Sequence, residues 1–303
     1  MFRLASIAAL VLATTALAAG GAPTVAAKIR VGLKPCAAIQ AYGAVWISNY
    51  GSATLSRVDP ATNRVTGRVA IGGQACGLAA GAGSIWVEGY GTSMIERVNP
   101  KTLKRVRRIP VGIQPYDVAF AFGSVWSSDN GSGVVSRIDP RTNRVVKRIR
   151  TGAGPAGFAV SAGSVWVGTN GSPNVYRIDP RTNRAVAIRV GADAPAWLAA
   201  TDTAVWVSRV RGGSVSRIDP ATNRVVATIP VGLSPVDGTV ARNGIVWIPL
   251  QGENAVARID PSTNTVLDTT KVGVSPFVVN EAFGDICAPS FGGADVWRLH
   301  AEG

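Results

Sequence analysis

Histidine is almost missing from this chain: its 303 residues hold one, His300. No His-Glu-x-x-His, Cys-x-x-Cys or Walker-type phosphate loop occurs, and three cysteines with one histidine offer no zinc-site spacing. The only nucleophile-like serines and threonines are repeated turn residues. Charged residues are sparse at 16%, and acids sparser still, 18 against 31 Lys plus Arg, for a net charge of +13. That balance raises anionic partners such as nucleic acid, phospholipid surfaces or acidic cell-wall polymers, without choosing among them. Beyond the first thirty residues there is no Ser- or Pro-rich linker, no shift of composition and no membrane-length apolar run, so one domain is expected. What is plentiful is apolar material, 47%, with 35 glycines and 18 prolines. That excludes a disordered chain and supplies one large core.

Residues 1–27 read as a secretory signal: Arg3 as a basic start, an apolar stretch from Leu4 to Ala19, and small residues at Ala16, Ala18, Ala26 and Ala27. Cleavage falls after Ala18 or Ala27, the folded domain is expected over 28–303, and the mature protein is expected to be secreted or periplasmic. Oxidising surroundings would allow one intramolecular bridge among Cys36, Cys76 and Cys287.

The architecture comes from a repeat. Asp59, Asn99, Asp139, Asp179, Asp219 and Asp260 each precede a proline, at intervals of 40, 40, 40, 40 and 41. Trp46, Trp86, Trp126, Trp166, Trp206 and Trp247 recur with them, and Cys287 takes the seventh place. Arg57, Arg97, Arg137, Arg177, Arg217, Arg258 and Arg298 form a third column. Within each unit β-branched residues alternate between turn clusters, as in Gly163–Val167, Asn174–Ile178 and Arg184–Val190. In the Asp-Pro-x-Thr-Asn turn, proline sets φ, the aspartate accepts from N–H groups beyond it, and asparagine tolerates the left-handed conformation. With a further strand entered at the inter-blade proline, as in Pro235–Ala241, each unit has four strands. Seven such units make an all-β, seven-bladed propeller. The last unit stops after its third strand, and Lys28–Gly32 matches the outer strand of the others, so the N-terminal strand is expected to complete the last blade.

These units, for example Gly213–Gly232 and Gly163–Val167, resemble exported propellers of the YVTN-repeat type and the streptogramin B (virginiamycin B) lyase family. The resemblance covers essentially the whole mature chain and implies a seven-bladed propeller. For the lyases it implies a histidine base and a magnesium-assisted site that opens a cyclic depsipeptide by elimination. Here His300 replaces the blade aspartate at the C-terminal end, on the rim opposite the usual active face. No residue is carried over as the catalytic histidine, and no streptogramin lyase activity is expected.

Comparison of the units places the site. The turns before the tryptophan strand and after the blade aspartate are nearly constant and share one rim; the inter-blade connections and the turns after the tryptophan strand diverge on the other. Along the innermost strands the variable positions include Tyr116, Asp117, Trp197, Asp237 and Phe277, two carboxylates and three aromatic surfaces that suit a sugar, an aromatic ligand or a cation. The same residues also serve as turn caps and gap fillers. The turn after the tryptophan strand offers Asn49, Tyr50, Glu88, Tyr90, Asp129, Asn130, Asn170, Arg209, Arg211, Gln251, Glu253 and Phe291, with Tyr50 and Tyr90 the favoured recognition residues. The tryptophan column is expected to pack sheet on sheet, with the arginines stacked on it or paired with the blade aspartates. Cys36 and Cys76 occupy equivalent places in adjacent units, so a disulfide is open to them if their Cα atoms stand within the usual range of roughly 4.4–6.8 Å, and Cys287 is expected as a buried free thiol. Arg64, Arg105, Arg107, Arg108, Arg141, Arg144, Arg181, Arg184 and Arg224 form a basic band suited to anionic polymer or single-stranded nucleic acid.

The expectation is therefore a monomeric binding or scaffold protein of the cell envelope. It carries no cofactor or bound metal, and it takes a small molecule, glycan or envelope protein at Tyr50, Tyr90, Tyr116, Asp117, Trp197, Asp237 and Phe277. The alternative is a lyase using Tyr116 or Tyr90 beside Asp117 as base, with Mg²⁺.

Overall fold

In the computed structural model, which describes residues 21–301, the aspartate–proline segments are tight turns. The Asp59 carboxylate accepts the Ala61 N–H at 2.8 Å, and the contact recurs at Asp139, Asp179, Asp219 and Asp260. Asn63, Asn143, Asn183, Asn223 and Asn264 close these turns with φ from 55° to 58°, a region asparagine tolerates better than most residues.

Each turn joins the third and fourth strands of a four-stranded antiparallel sheet. Blade 1 runs Pro35–Ala41, Ala44–Asn49, Thr54–Asp59 and Arg64–Ala70. Seven such sheets form the propeller. The seventh consists of Asn280–Ala282, Asp285–Pro289, Asp295–His300 and the N-terminal strand Val25–Arg30, which pairs with Asp295–His300 and closes the ring as expected. That strand starts at Val25, ahead of the Lys28 boundary, and Thr24 O accepts the His300 N–H at 3.0 Å. Positions 1–20 of the expected leader lie outside the described residues.

The tryptophan column is buried, with Trp46, Trp86, Trp126, Trp166 and Trp247 fully so. In four blades the indole N–H donates to the carbonyl five residues earlier, as Trp86 does to Gly81 at 3.0 Å. Cys287 is free and buried, and burial pushes its thiol up to about 12. The arginine column covers the indoles, with guanidinium carbons 4.8–5.6 Å from the rings in blades 2 to 6.

The expected pairing of these arginines with the blade aspartates does not occur. Arg137 reaches into the next blade and donates to Pro180 O at 2.6 Å and Asn183 Oδ1 at 2.9 Å. Arg97, Arg177, Arg217 and Arg298 make the same pair of contacts, the last linking blade 7 to Pro60 and Asn63 of blade 1. The aspartates are used within their own turns, so the guanidinium finds its acceptors in the neighbouring one.

Most of the remaining basic residues lie on the outermost strands. Arg64, Arg68, Lys104, Arg107, Arg144, Lys147 and Arg224 are exposed there. Charges on an unpaired edge oppose edge-to-edge pairing with another chain.

The innermost strand expected over Pro235–Ala241 contracts to Thr239–Val240. Its entry still pairs with its own blade at Pro235–Leu250 and through Val236 N–H to Pro249 O at 3.0 Å, while Asp237 turns to blade 7: its N–H donates to Phe277 O at 3.2 Å and the Val279 N–H donates to Asp237 O at 2.9 Å, a parallel bridge across the blade seam. This seam fixes Asp237 and Phe277 at the channel.

Candidate functional site

Six aromatic side chains form a closed circuit around the axis on the variable rim. Ring centroids are 6.5 Å apart for Tyr50–Tyr90, 5.7 Å for Tyr90–Tyr116 and 5.4 Å for Tyr116–Trp197. The circuit returns through Trp197–Phe277 at 4.9 Å, Phe277–Phe291 at 5.6 Å and Tyr50–Phe291 at 5.4 Å. The tilted and edge-to-face angles are those favoured by aromatic quadrupoles, at about 0.5–1.5 kcal/mol per pair beyond area burial.

Blade chemistry explains the circuit. Blades 7, 1 and 2 supply Phe291, Tyr50 and Tyr90 from the same turn position, where blades 3 to 6 carry Asn130, Asn170, Val210 and Gln251. Blades 4 and 5 have Ala156 and Ala196 on their innermost strands, and Trp197 fills the space with these alanines and Val236. Gly157 makes this packing possible: a Cβ there would lie 2.7 Å from Trp197 Cε3.

The circuit borders a basin of about 300 Å³ lined by Tyr50, Tyr90, Tyr116, Phe277, Phe291, Glu88, Gln251 and the Cys36–Cys76 disulfide. The two cysteine Cα atoms are 5.0 Å apart, and the bridge ties blade 1 to blade 2. A second space of about 340 Å³ contains Asp117, Asp237 and Trp197 and follows the innermost strands toward the Gly-Ser turns. Cys76 and Tyr116 border both. The seven expected ligand residues are thus divided. Tyr50, Tyr90, Tyr116 and Phe277 face the basin, Asp117 and Asp237 face the channel, and Trp197 is a buried member of the circuit that lines the channel.

The carboxylates differ in what holds them. Asp117 Oδ1 accepts the Val118 N–H at 2.8 Å and Oδ2 accepts the Phe158 N–H of blade 4 at 3.0 Å, so both oxygens serve the scaffold. Burial still pushes Asp117 up to about 7. Burial, with Asp117 nearby, holds Asp237 well above the usual carboxylate range, against a hydrogen bond from the Leu198 backbone. Among the described residues no group of three or more His, Cys, Asp or Glu gathers in a way that could hold a metal ion.

Glu88 is the residue that sequence reasoning placed in the outer ring but not among the ligand set. Its column reads Ser48, Glu88, Ser128, Gly168, Ser208, Pro249 and Pro289, so a lone carboxylate among small residues was the available signal. Glu88 is 1% exposed. Oε1 accepts the Cys76 N–H at 2.6 Å and the Gly77 N–H at 3.2 Å, whereas Oε2 is buried with no hydrogen-bond partner. The Tyr90 N–H also faces this carboxylate but donates to Gln74 O at 3.0 Å. Burial holds the Glu88 carboxyl well above its usual range, with Asp117 adding to the rise. Burial likewise raises the Tyr50 and Tyr116 phenols.

Of the other outer-ring residues, Gln251 and Phe291 line the basin, and five are held by the scaffold. Asn49 Oδ1 accepts the Gly32 N–H, and Asp129 accepts from Gly112 N–H, Ser127 and Ser136. Arg209 pairs with Asp193, Glu253 accepts the Leu233 N–H, and Asn130 donates to Pro155 O. His300 hydrogen-bonds Asp285 at 2.9 Å and lines neither space.

Residues 75–221, just under half of the chain, match the model of a repeat of unknown function, DUF6923. A streptogramin B lyase structure superposes with a TM-score of 0.80 at 16% identity, covering 90% of this chain and 96% of that one. Virginiamycin B lyase from Staphylococcus aureus gives 0.80 at 15%, covering 90% and 98%. Hydrazine synthase from Kuenenia stuttgartiensis gives 0.80 at 18%, covering 91% and 98%. At these identities the shared property is the seven-bladed propeller fold, the fold of the lyase-like propellers. No curated protein matches the chain.

Proposed function

We propose that this propeller is an exported binding protein of the cell envelope that holds a small ligand in the aromatic basin on its variable rim. The observation that carries the reading is the closed aromatic circuit beside a buried carboxylate with one free oxygen. A scaffold needs packed rings, but it does not need three tyrosine rings left partly open over a cavity. Export is supported by the leader pattern of residues 1–27 and by the inter-blade disulfide, a bond at home outside the reducing cytosol. No residue is assigned to catalysis. A lyase with Tyr116 as its base is disfavoured because burial raises that phenol, and Tyr90, Glu88 and Tyr50 add to the rise. Charge-driven binding of anionic polymer is disfavoured as the principal role because the basic residues lie dispersed along the blade edges.

Thermal-shift measurements test this on the mature protein, with neutral glycans, planar aromatics, organic amines, single-stranded DNA and cyclic depsipeptides with Mg²⁺. A specific ligand at a hundred times its Kd adds about 2.7 kcal/mol, and the shift is expected to vanish in Tyr90→Ala and persist in 0.3 M salt. Shifts from DNA alone, erased by salt, or depsipeptide turnover would overturn the reading.

A further inference from the structure

The basin holds more chemical information than a hydrophobic cup. Its walls are the faces and edges of Tyr50, Tyr90, Tyr116, Phe277 and Phe291, and its one acid is Glu88. In blades 1 and 3 the equivalent serines settle their oxygens within the scaffold: Ser48 Oγ accepts the Ala37 N–H and donates to Cys76 O, and Ser128 Oγ accepts the Asp117 N–H. Glu88 does the same scaffold work with Oε1 alone. Its second oxygen is surplus to the fold, buried and unpartnered. An oxygen of that kind is costly without a donor or cation to meet it.

Resting on the reading of the basin as a binding site, we propose that its ligand class is an organic cation, an ammonium or quaternary ammonium group seated among the tyrosines with Glu88 as its counter-ion. Aromatic faces attract such a group through their quadrupoles, an attraction that grows on desolvation. A cation in the basin favours the ionised form of Glu88, whose carboxyl burial otherwise holds above its usual range, and the coulombic attraction between them is one that a neutral ligand of the same shape lacks. The volume of about 300 Å³ suits a small head group. The overall charge of +13 does not oppose this at short range, because fields from exposed blade edges are screened beyond about 8 Å in physiological salt.

Isothermal titration with choline and with its neutral carbon isostere, 3,3-dimethylbutan-1-ol, tests the inference on the mature protein. Choline is expected to bind at least about ten-fold more tightly than the isostere. Glu88→Gln keeps the acceptor for the Cys76 and Gly77 N–H groups and should remove most of that preference while leaving the isostere's affinity unchanged. Tyr50→Leu, a change at a partly open ring, should weaken choline more than the isostere and serves if the Gln variant misfolds. Equal affinities, no choline binding, or a preference intact in both folded variants would overturn the inference. The same titrations with neutral saccharides and planar aromatics separate the two claims: if these bind and choline does not, the basin stands and its cation preference falls, whereas if none binds, both fall.

Discussion

At the residue scale, the site depends on positions where one blade departs from its siblings. Glu88 stands where three blades carry serine and leaves an oxygen free; Trp197 is the one large ring in its column and lies across Gly157 of the preceding blade. Asp117 shows the opposite outcome, since its two oxygens bridge blades 3 and 4. A column comparison marks such departures but not their result, because whether an acid faces a ligand or a backbone N–H depends on the neighbouring blade. That is why Asp117 and Glu88 drew unequal weight in the sequence, although in the structure Asp117 has both oxygens engaged and Glu88 only one. The raised carboxyls also set a pH dependence. Asp117 ionises near 7 when folded and near its ordinary 3.8 when unfolded, so the folded state binds the extra proton between these values. Its contribution is present below about pH 4 and is lost as pH rises through 7. Thermal unfolding across pH 4–8 should show this decline, and Asp117→Asn, although less stable throughout, should show a shallower slope. An unchanged slope would place the titration elsewhere.

At the element scale, the repeat was legible almost in full, because turn chemistry and the 40-residue period are local signals. The arginine column was visible too, yet its acceptors were not: Arg137 and Asn183 are 46 residues apart and meet only when blades stand side by side. The exceptions follow the same logic. Leu103 stands where other turns have asparagine, and Arg57 turns to Thr66 Oγ1 at 3.0 Å. Arg258 faces a last blade without the turn and pairs with Asp268. Leu103 keeps a left-handed φ of 55° and packs over Gly67, whose Cβ would lie within reach of its side chain. Asn183→Leu lacks a matching glycine to receive it. It should cost about 1–3 kcal/mol in chemical denaturation, the sum of a strained φ and a lost acceptor for a part-buried guanidinium. Loss under 0.5 kcal/mol would show that the inter-blade link carries little of the stability.

At the scale of the whole molecule, ring closure was also legible, from a strand-like N-terminus and a last unit one strand short. The closed ring sorts its surface by position: basic edges outward, near-constant turns on one rim, and the aromatic basin on the other. The packing of Trp197 was not legible, since it fills the space that blades 4 and 5 leave with alanine where blades 3 and 7 contribute Tyr116 and Phe277. The five tyrosines offer a direct test of where a ligand sits. Tyr50, Tyr90 and Tyr116 line the basin, while Tyr42 lies at a turn of the opposite rim and Tyr176 packs within blade 4. Fluorine NMR of the fluorotyrosine-labelled protein titrated with choline should shift the resonances of Tyr50, Tyr90 and Tyr116 and leave those of Tyr42 and Tyr176 in place. Shifts confined to Tyr42 or Tyr176, or none at saturating ligand from any class of the thermal-shift panel, would contradict a binding site on the variable rim.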